Sequence, residues 1–324
     1  MISLQNSKSL EDHINIMENK LNSDKTEYAK IDLHVHPFFN NYSFSRLVDI
    51  AMEKDIKILG LEHYNNNIFP EICERATALK EYKVEYINSS RDQSSLMKIS
   101  KDDKSIYFPK STELTTKEKI HLLVIGNYGD LAPGDCLDKI IESSLEKDCL
   151  VILDHPFVDS EKTHRPITKQ TIPYLEKVAK KYGNNIFIEK NGYCRDDIWN
   201  VLSKGHYITD AFTSKSNLKR GTSKRANQLA EDFAKEHGIS VIADTDLHAR
   251  SENSLKYLAE SNIKIPKKDL NFTTISKLTK SMKESINSGN YRNNTNYPPI
   301  KHLFLEYFLP NVLARYMPIL RPRG

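Results

Sequence analysis

What this sequence lacks excludes several protein classes. Its 324 residues contain only four cysteines, none in CxxC spacing, which indicates neither a disulfide framework nor a thiolate zinc site. No apolar run approaches the roughly 18 residues of a transmembrane helix, and the polar residues 1–29 contain no apolar core of a secretory signal. Excess charge is also scarce, because 47 lysines and arginines face 43 acidic residues, which does not favour a general nucleic-acid coat or a membrane-surface protein. A reduced cytoplasm is the expected location.

The apolar residues that are present recur in the pattern of an α/β domain. From residue 31 to about 250, short apolar runs alternate with amphipathic helical stretches. Seven predicted strands favour a barrel-like sheet over an open one, and they span 31–36, 56–63, 105–114, 120–126, 150–156, 185–191 and 239–248. The predicted helices between them span 43–54, 70–82, 134–147, 167–182 and 224–237.

Composition divides the chain into four segments. A polar N-terminal extension (1–29) precedes the α/β domain (30–284), an Asn/Ser/Pro-rich linker (285–299) follows, and an apolar, basic tail (300–324) comes last. Within the domain, the polar residues 88–104 predict a loop. The tail is interpreted as a helix packed on the domain or on a partner subunit, or alternatively as a membrane-surface helix. The sequence leaves the oligomeric state open.

Histidines and acids collect at the ends of the predicted strands. His34 and His36 are two residues apart on the first strand, so their imidazoles point to the same face. Asp246 and His248 have the same spacing at the end of the last strand, and His63 closes the second strand. These five side chains are therefore expected at one end of the sheet, which we call the rim.

The third, fourth and fifth strands bring three more candidates to the rim. Glu113 ends the third strand and His121 follows eight residues later, a separation too short for a crossover helix. A hairpin is predicted instead, and it returns His121 to the end of the sheet where Glu113 lies. His155 closes the fifth strand. All eight side chains can then share the rim, where barrel enzymes build their active sites.

This set of residue types favours a metal centre. Neutral imidazoles and carboxylates bind Zn²⁺, Mn²⁺ or Fe²⁺ without any thiolate. Eight ligands exceed the needs of one tetrahedral ion, so two or more ions are predicted, with a carboxylate such as Glu113 bridging them. A single strand-end histidine is more often structural, but six of the 11 histidines converge here together with Glu113 and Asp246. The other five are interpreted as structural or solvated: His13, His164, His206, His237 and His302.

Seven short motifs, in order and with similar spacing, resemble the PHP (polymerase and histidinol phosphatase) family of metal-dependent phosphoesterases. They are DLHVH (32–36), GLEHYN (60–65), TEL (112–114), HLL (121–123), DHP (154–156), IEKN (188–191) and DTDLH (244–248). The resemblance covers roughly residues 30–250. It implies a distorted (β/α)7 TIM-like barrel with two or three divalent ions, Zn, Mn or Fe, at its rim.

The resemblance also implies how the ligands divide among the ions. The first ion would be held by His34, His36, Glu113 and Asp246, the second by Glu113, His121 and His155, and the third by His63 and His248. One position departs from the family pattern, because Asn41 stands where a further third-site Asp or His is usual. The third site is therefore expected to be weak or absent. Glu62 replaces the usual Asp before His63 and, by strand alternation, is expected to face away from the rim.

The implied reaction is hydrolysis of a phosphate ester by a metal-bound hydroxide, with turnover depending on Glu113 and His155. The expected substrates are a small phosphomonoester, a nucleotide or a nucleic-acid end. Arg220 and Arg225 in a basic run, and Arg165 after the DHP motif, are candidate phosphate-binding residues. Two alternatives remain at this point: an amidohydrolase-type metal hydrolase, which also begins with HxH, and a non-catalytic PHP-like binding or regulatory module.

Overall fold

We describe a computed structural model of the chain over residues 26–87, 95–129, 131–157, 171–192 and 226–299. Thirteen strands lie in these ranges: β1 (Tyr28–Pro37), β2 (Ile56–Leu61), β3 (Lys83–Tyr86), β4 (Leu96–Lys101), β5 (Lys104–Pro109), β6 (Ser111–Thr115), β7 (His121–Ile125), β8 (Leu150–Asp154), β9 (Phe187–Asn191), β10 (Ser240–Asp244), β11 (Leu247–Ala249), β12 (Ser261–Pro266) and β13 (Arg292–Thr295). The helices are α1 (Phe44–Glu53), α2 (Phe69–Ala76), α3 (Leu137–Leu145), α4 (Thr171–Tyr182), α5 (Ala226–His237) and α6 (Ile275–Asn287). No helix in these ranges combines the length and the apolar character needed to cross a bilayer.

The strands form two mixed sheets, so the α/β class is confirmed. One sheet has the order β13-β12-β1-β2-β5-β4-β3, with β11 beside the second half of β1, and the other has the order β10-β9-β8-β7-β6. In the second sheet β7 is antiparallel to β6, as the short Glu113–His121 spacing predicts, and it is also antiparallel to β8. The ladders of the described strands do not close into one barrel.

Side chains bridge the two sheets where no ladder continues. At one junction, the buried carboxylate of Glu62 accepts hydrogen bonds from the Val35 amide of the first sheet (3.1 Å) and the Ser111 hydroxyl of the second (2.6 Å). At the other, the side-chain amide of Asn293 on β13 accepts from the Ala243 N–H (2.9 Å) and donates to a carbonyl of the same strand, β10 (2.9 Å). These side chains satisfy the strand edges that a closed barrel would pair. Among the described residues, no group of converging metal donors includes Glu62.

A bulge in β1 turns its histidines toward the rim. Between Asp32 and Val35 the strand uses one residue more than its partner β2, which reverses the alternation of its side chains. Before the bulge, Leu33 packs into the core shared by the two sheets, whereas Val35 after it packs toward the outer helices. The Leu33 carbonyl approaches β2 so closely that a Cβ on Gly60 would lie 2.3 Å from its oxygen. Only glycine fits at that position.

The shared core holds the two sheets together. It contains apolar side chains from β1, β2, β7, β8, β9, β10 and β12 and from one face of α6. Two further apolar clusters lie outside the sheets, under α1 and α2 on one side and under α3, α4 and α5 on the other. The rim is therefore built on strand ends that are buried on both faces.

Two organisational predictions need correction. Residues 88–104, predicted as a loop, contain β4, which pairs with both β3 and β5 in an antiparallel extension of the first sheet. The prediction was wrong because it followed the many polar side chains of this segment. Alternate positions such as Met97 and Ile99 are buried, which is the pattern of a strand. The predicted linker (285–299) likewise contributes β13, which pairs with β12. Residues 1–25 of the predicted N-terminal extension and the whole predicted tail (300–324) lie outside the described residues.

Candidate metal centre

The structure gathers six of the eight predicted side chains into one buried cluster. His34 and His36 come from β1, Glu113 from β6 and His121 from β7. The other two follow strands, His155 directly after β8 and Asp246 between β10 and β11. All six are at most 5% exposed, so their polar atoms depend on one another or on an ion.

Four donor atoms of this cluster form a first set, in which those of His34, His36 and Asp246 lie within 4.8 Å of one another and that of Glu113 lies beside them. His34 Nε2 and His36 Nε2 are 3.0 Å apart, and Asp246 Oδ1 is 3.5 Å from each. Glu113 Oε2 lies 3.3 Å from His36 Nε2. Ligands about 2.0–2.2 Å from one ion are roughly 3.3–3.6 Å apart in a tetrahedron. Glu113 Oε2 and Asp246 Oδ1 are buried without a hydrogen-bond partner, as expected of atoms that bind a cation.

A second set of donors lies on the other side of Glu113. Its Oε1 atom contacts His121 Nδ1 and lies 3.7 Å from His155 Nε2. Asp154 completes this set, with Oδ2 at 3.2 Å from His155 Nε2 and no hydrogen-bond partner. The two oxygens of Glu113 therefore face different sets, which is the arrangement of a bridging carboxylate.

Asp154 was missed because adjacent residues on a strand normally point to opposite faces. His155, however, has a φ of 26°, far from extended backbone. The chain turns at that residue, so Asp154 and His155 reach the same donor set. Asp246 has a similar conformation, with a φ of 49°, where the chain leaves β10. Both residues hold a strained backbone at the rim, a common property of functional sites.

Glu189 and Asn191 on β9 orient the donors. Glu189 Oε1 lies 2.7 Å from His34 Nδ1, which leaves His34 Nε2 to face the first set. Its other oxygen accepts from the backbone N–H of His155 (2.8 Å) and from Asn191 Nδ2 (3.1 Å). The Asn191 amide also donates to Asp246 Oδ2 (2.7 Å), so Oδ1 of that carboxylate faces the donors. Both β9 residues are buried.

The electrostatics of the cluster call for added positive charge. Burial, together with Glu189 nearby, raises the pKa of Asp154 and of Asp244 well above the ordinary range. Burial also opposes ionisation of Glu113, but the nearby imidazoles of His121 and His34 hold its pKa well below the usual value. The structure thus concentrates buried carboxylates around a few imidazoles, which is the donor chemistry that suits divalent cations. We call this cluster the carboxylate-rich side of the rim; it comprises His34, His36, Glu113, His121, Asp154, His155, Glu189, Asp244 and Asp246.

His63 and His248 lie beside this cluster, near Arg250, and we call these three residues the arginine side. The His248 ring stacks on His36, with centroids 4.5 Å apart, whereas the His63 ring is 6.4 Å from His36. Among the described residues, no group of three converging donors includes His63 or His248. Asn41 donates from its amide to the Arg250 carbonyl (2.5 Å). The ligands implied for a third ion are thus not gathered into a set in the described structure.

Tyr64, a residue that the sequence reasoning missed, covers the donors on their open side. Its ring stacks on His36 at 4.7 Å and meets the edge of His121 at 5.7 Å. Its hydroxyl lies 3.4 Å from His248 Nε2, and the residue is 39% exposed. The position directly after His63 in the GLEHYN motif was the only signal that could have indicated it.

The predicted substrate-binding arginines Arg165, Arg220 and Arg225 lie outside the described residues, so their roles stay predictions.

Comparisons with known proteins give distant matches only. No protein-family model matches the chain, and no curated protein matches it. Solved structures similar to it include a lesion-specific endonuclease from Pyrococcus furiosus, 16% identical with a TM-score of 0.43, where the match covers 82% of this chain and 58% of the endonuclease. An Endonuclease Q in complex with a duplex that carries an abasic lesion is 17% identical, with a TM-score of 0.42 and coverage of 78% and 57%.

A two-domain protein from Bacteroides vulgatus is also similar, and it is described as containing a predicted PHP-like metal-dependent phosphoesterase. It is 13% identical with a TM-score of 0.46, and the match covers 83% of this chain and 65% of that one. The neighbours thus include the family that the motifs resemble, although the match spans less than two thirds of the length of each of the three structures. Because the TM-scores are below 0.5, the functional argument rests on the site itself.

Proposed function

We propose that this chain is a metal-dependent phosphoesterase. The observation that supports the proposal most strongly is the position of Glu113, whose two oxygens face two separate donor sets. A carboxylate shared in this way is typical of two-metal sites that hydrolyse phosphate esters. In this proposal the first set is His34, His36 and Asp246 together with Glu113, whose Oε2 lies 3.3 Å from His36 Nε2, and the second is Glu113, His121, Asp154 and His155.

The residues around the donors have distinct tasks in this proposal. Divalent ions, when bound, would supply positive charge for the phosphoryl oxygens and make an attacking water more acidic. Glu189 holds the tautomer of His34, and Asn191 keeps one oxygen of Asp246 directed at the first set. The half-exposed Tyr64 ring limits access of water, and its hydroxyl is placed where it can donate to an oxygen of the substrate.

The finer assignments form part of the same proposal. We infer that the two sheets, bridged at both junctions and packed on a shared core, correspond to an opened (β/α)7-like barrel. A small phosphomonoester, a nucleotide or a nucleic-acid end would be the substrate, with Arg165, Arg220 and Arg225 contacting phosphate. The four cysteines, which show no pairing pattern, favour a reducing location such as the cytoplasm.

A substrate screen on protein purified without chelator tests the proposal. We expect hydrolysis of p-nitrophenyl phosphate, bis-p-nitrophenyl phosphate, nucleoside monophosphates or a 5′-phosphorylated oligonucleotide after loading with Zn²⁺, Mn²⁺ or Fe²⁺. An anilide such as p-nitroacetanilide should not be cleaved, and its selective cleavage would favour the amidohydrolase alternative. Metal binding without turnover of any phosphate ester would favour a binding module. The Glu113→Gln variant, assayed in parallel, excludes a contaminating phosphatase.

A further inference from the structure

Arg250 occupies a position at the rim that neither the motifs nor the donor sets explain. It directly follows β11, where Val35, His36 and Pro37 of β1 pair with Leu247, His248 and Ala249. Phe38 follows β1 at the matching point. The Phe38 ring meets the edge of the His63 ring, with centroids 6.0 Å apart, and the Arg250 guanidinium packs on Phe38.

Contacts of the main chain hold Arg250 in place. Its N–H donates to the His248 carbonyl (2.8 Å), and its own carbonyl accepts from the Asn41 amide (2.5 Å). Asn41 belongs to a turn, because its backbone N–H donates to the Phe38 carbonyl (2.9 Å). The residue that departs from the family pattern therefore supports Arg250.

The guanidinium of Arg250 has packing but no counter-charge. Its Cζ atom lies 5.5 Å from the centre of the Phe38 ring, and its Nε is buried without a hydrogen-bond partner. Within the described ranges no carboxylate pairs with it, and Glu252, an acid close by in sequence, is bound to Arg46 at 2.8 Å. A half-buried guanidinium without an acid is suited to an external anion, because its planar fork matches phosphate oxygens.

The charge of Arg250 acts on the side of the rim where His248 lies. The backbone N–H of Arg250 is bound to the His248 carbonyl, so the two residues lie on the same side of the rim. His248 in turn stacks on His36 of the first donor set at 4.5 Å. An anion between Arg250 and the donor sets would thus contact positive charge on both sides when the donor sets hold their divalent ions.

We propose that Arg250, packed on Phe38 and supported by Asn41, binds an anionic phosphoryl oxygen of the substrate beside the first donor set. This inference rests on the proposed phosphoesterase function and assigns to it a substrate-binding residue. On the arginine side, the described residues gather no third set of metal donors around His63 and His248. The positive charge on that side would then come from the side chain of Arg250.

Phosphate binding by variants of the full metal-loaded chain tests this role. Isothermal titration with inorganic phosphate should show a Kd about 10- to 100-fold higher for Arg250→Met than for the wild type, the range for loss of one charge-assisted contact. Arg250→Lys, which keeps the charge but not the fork, should lie between them. Metal content should be unchanged in both. The control is Arg292→Met, which removes an exposed arginine of β13 that packs on Tyr28 and should leave phosphate affinity as in the wild type.

The outcomes separate this inference from the proposed function. Wild-type phosphate affinity in Arg250→Met, in a protein that hydrolyses phosphate esters, would overturn the role of Arg250 and leave the phosphoesterase assignment standing. Equal losses in the Met and Lys variants together with lost metal would show a structural role and also overturn the inference. A wild-type chain that binds metal but neither phosphate nor any phosphate ester would overturn both. In steady-state assays, the expected signature of Arg250→Met is a raised KM with a smaller change in kcat.

Discussion

The two sides of the rim carry opposite charge, although His36 on β1 and His248 on β11, one from each side, stack on each other. On the carboxylate-rich side, five buried acids surround four histidines, and none of these acids has a lysine or arginine partner within the described ranges. On the arginine side, a guanidinium without a counter-ion lies near two histidines. The first arrangement needs cations and the second needs an anion. The difference indicates where metal would bind and where a substrate phosphate would approach it.

The strongest test of the carboxylate-rich side is Glu113→Gln. An amide is a weak, uncharged ligand, and this carboxylate faces both donor sets, so we expect both ions to be lost and turnover to fall at least about a thousandfold. Metal analysis and a phosphate-ester assay measure this. Glu71→Gln, which alters an exposed acid paired with Arg75, is the matched control. Full metal content in Glu113→Gln would contradict the shared carboxylate.

His155→Ala should separate the two sets. His155 belongs to the second set, so the variant should keep one ion and lose one, with turnover falling nearly as far as in Glu113→Gln. The measurement is again metal per chain beside turnover, and His237→Ala on α5, away from the rim, serves as control. Wild-type turnover in His155→Ala would mean that the second set is not part of the reaction.

Glu189→Gln should have an intermediate effect. The carboxylate bonds to His34 Nδ1 and to the His155 amide, so its loss loosens one ligand of each set without removing any. Metal affinity, measured by competition with a chromophoric chelator, should fall about 10- to 100-fold. An unchanged affinity would show that β9 does not orient the ligands.

Glu62 sharpens the comparison from outside the donor sets, because it is a buried carboxylate bound by hydrogen bonds alone. Burial raises its pKa to about 8, so the folded protein keeps this proton while the unfolded chain ionises near 4.3, an approximate reference value. Stability is therefore lost as pH rises from about 5 to 8, by on the order of 3 kcal/mol. Glu62→Gln imitates the protonated form and can still bond to Ser111.

Urea unfolding at pH 5.5 and pH 8.5 measures the effect of Glu62→Gln. We expect the variant to match the wild type at the lower pH and to exceed its free energy of unfolding at the higher pH. The same difference at both values would contradict a protonated Glu62 in the folded protein.

The sequence predicted the parts of the fold that depend on local pattern. Strand alternation places His34 and His36, which are two residues apart, on the same face, and the short Glu113–His121 separation predicts a hairpin. The structure shows both features. Whether the sheets close into a barrel was not predictable in this way, because closure depends on how strand edges pair. Single side chains, Glu62 and Asn293, bridge those edges here, and no periodicity marks such residues.

The donor set was predicted only in part, for a related reason. Asp154 escaped the alternation argument because the backbone of His155 is in a left-handed conformation, and one turn residue leaves no sequence signature. Arg250 and Tyr64 escaped because a lone arginine or tyrosine forms no recurring pattern. The contact of Arg250 with Phe38 requires β1 to pair with β11, and that of Tyr64 with His36 requires β1 to pair with β2.

The central claim is that Glu113 joins two metal-binding sets. Inductively coupled plasma mass spectrometry of untagged wild-type protein, purified without chelator, tests it most directly. We predict two equivalents of Zn, Mn or Fe per chain, restored by reconstitution after chelator treatment. A chain that retains no metal and takes none up on reconstitution would contradict the claim.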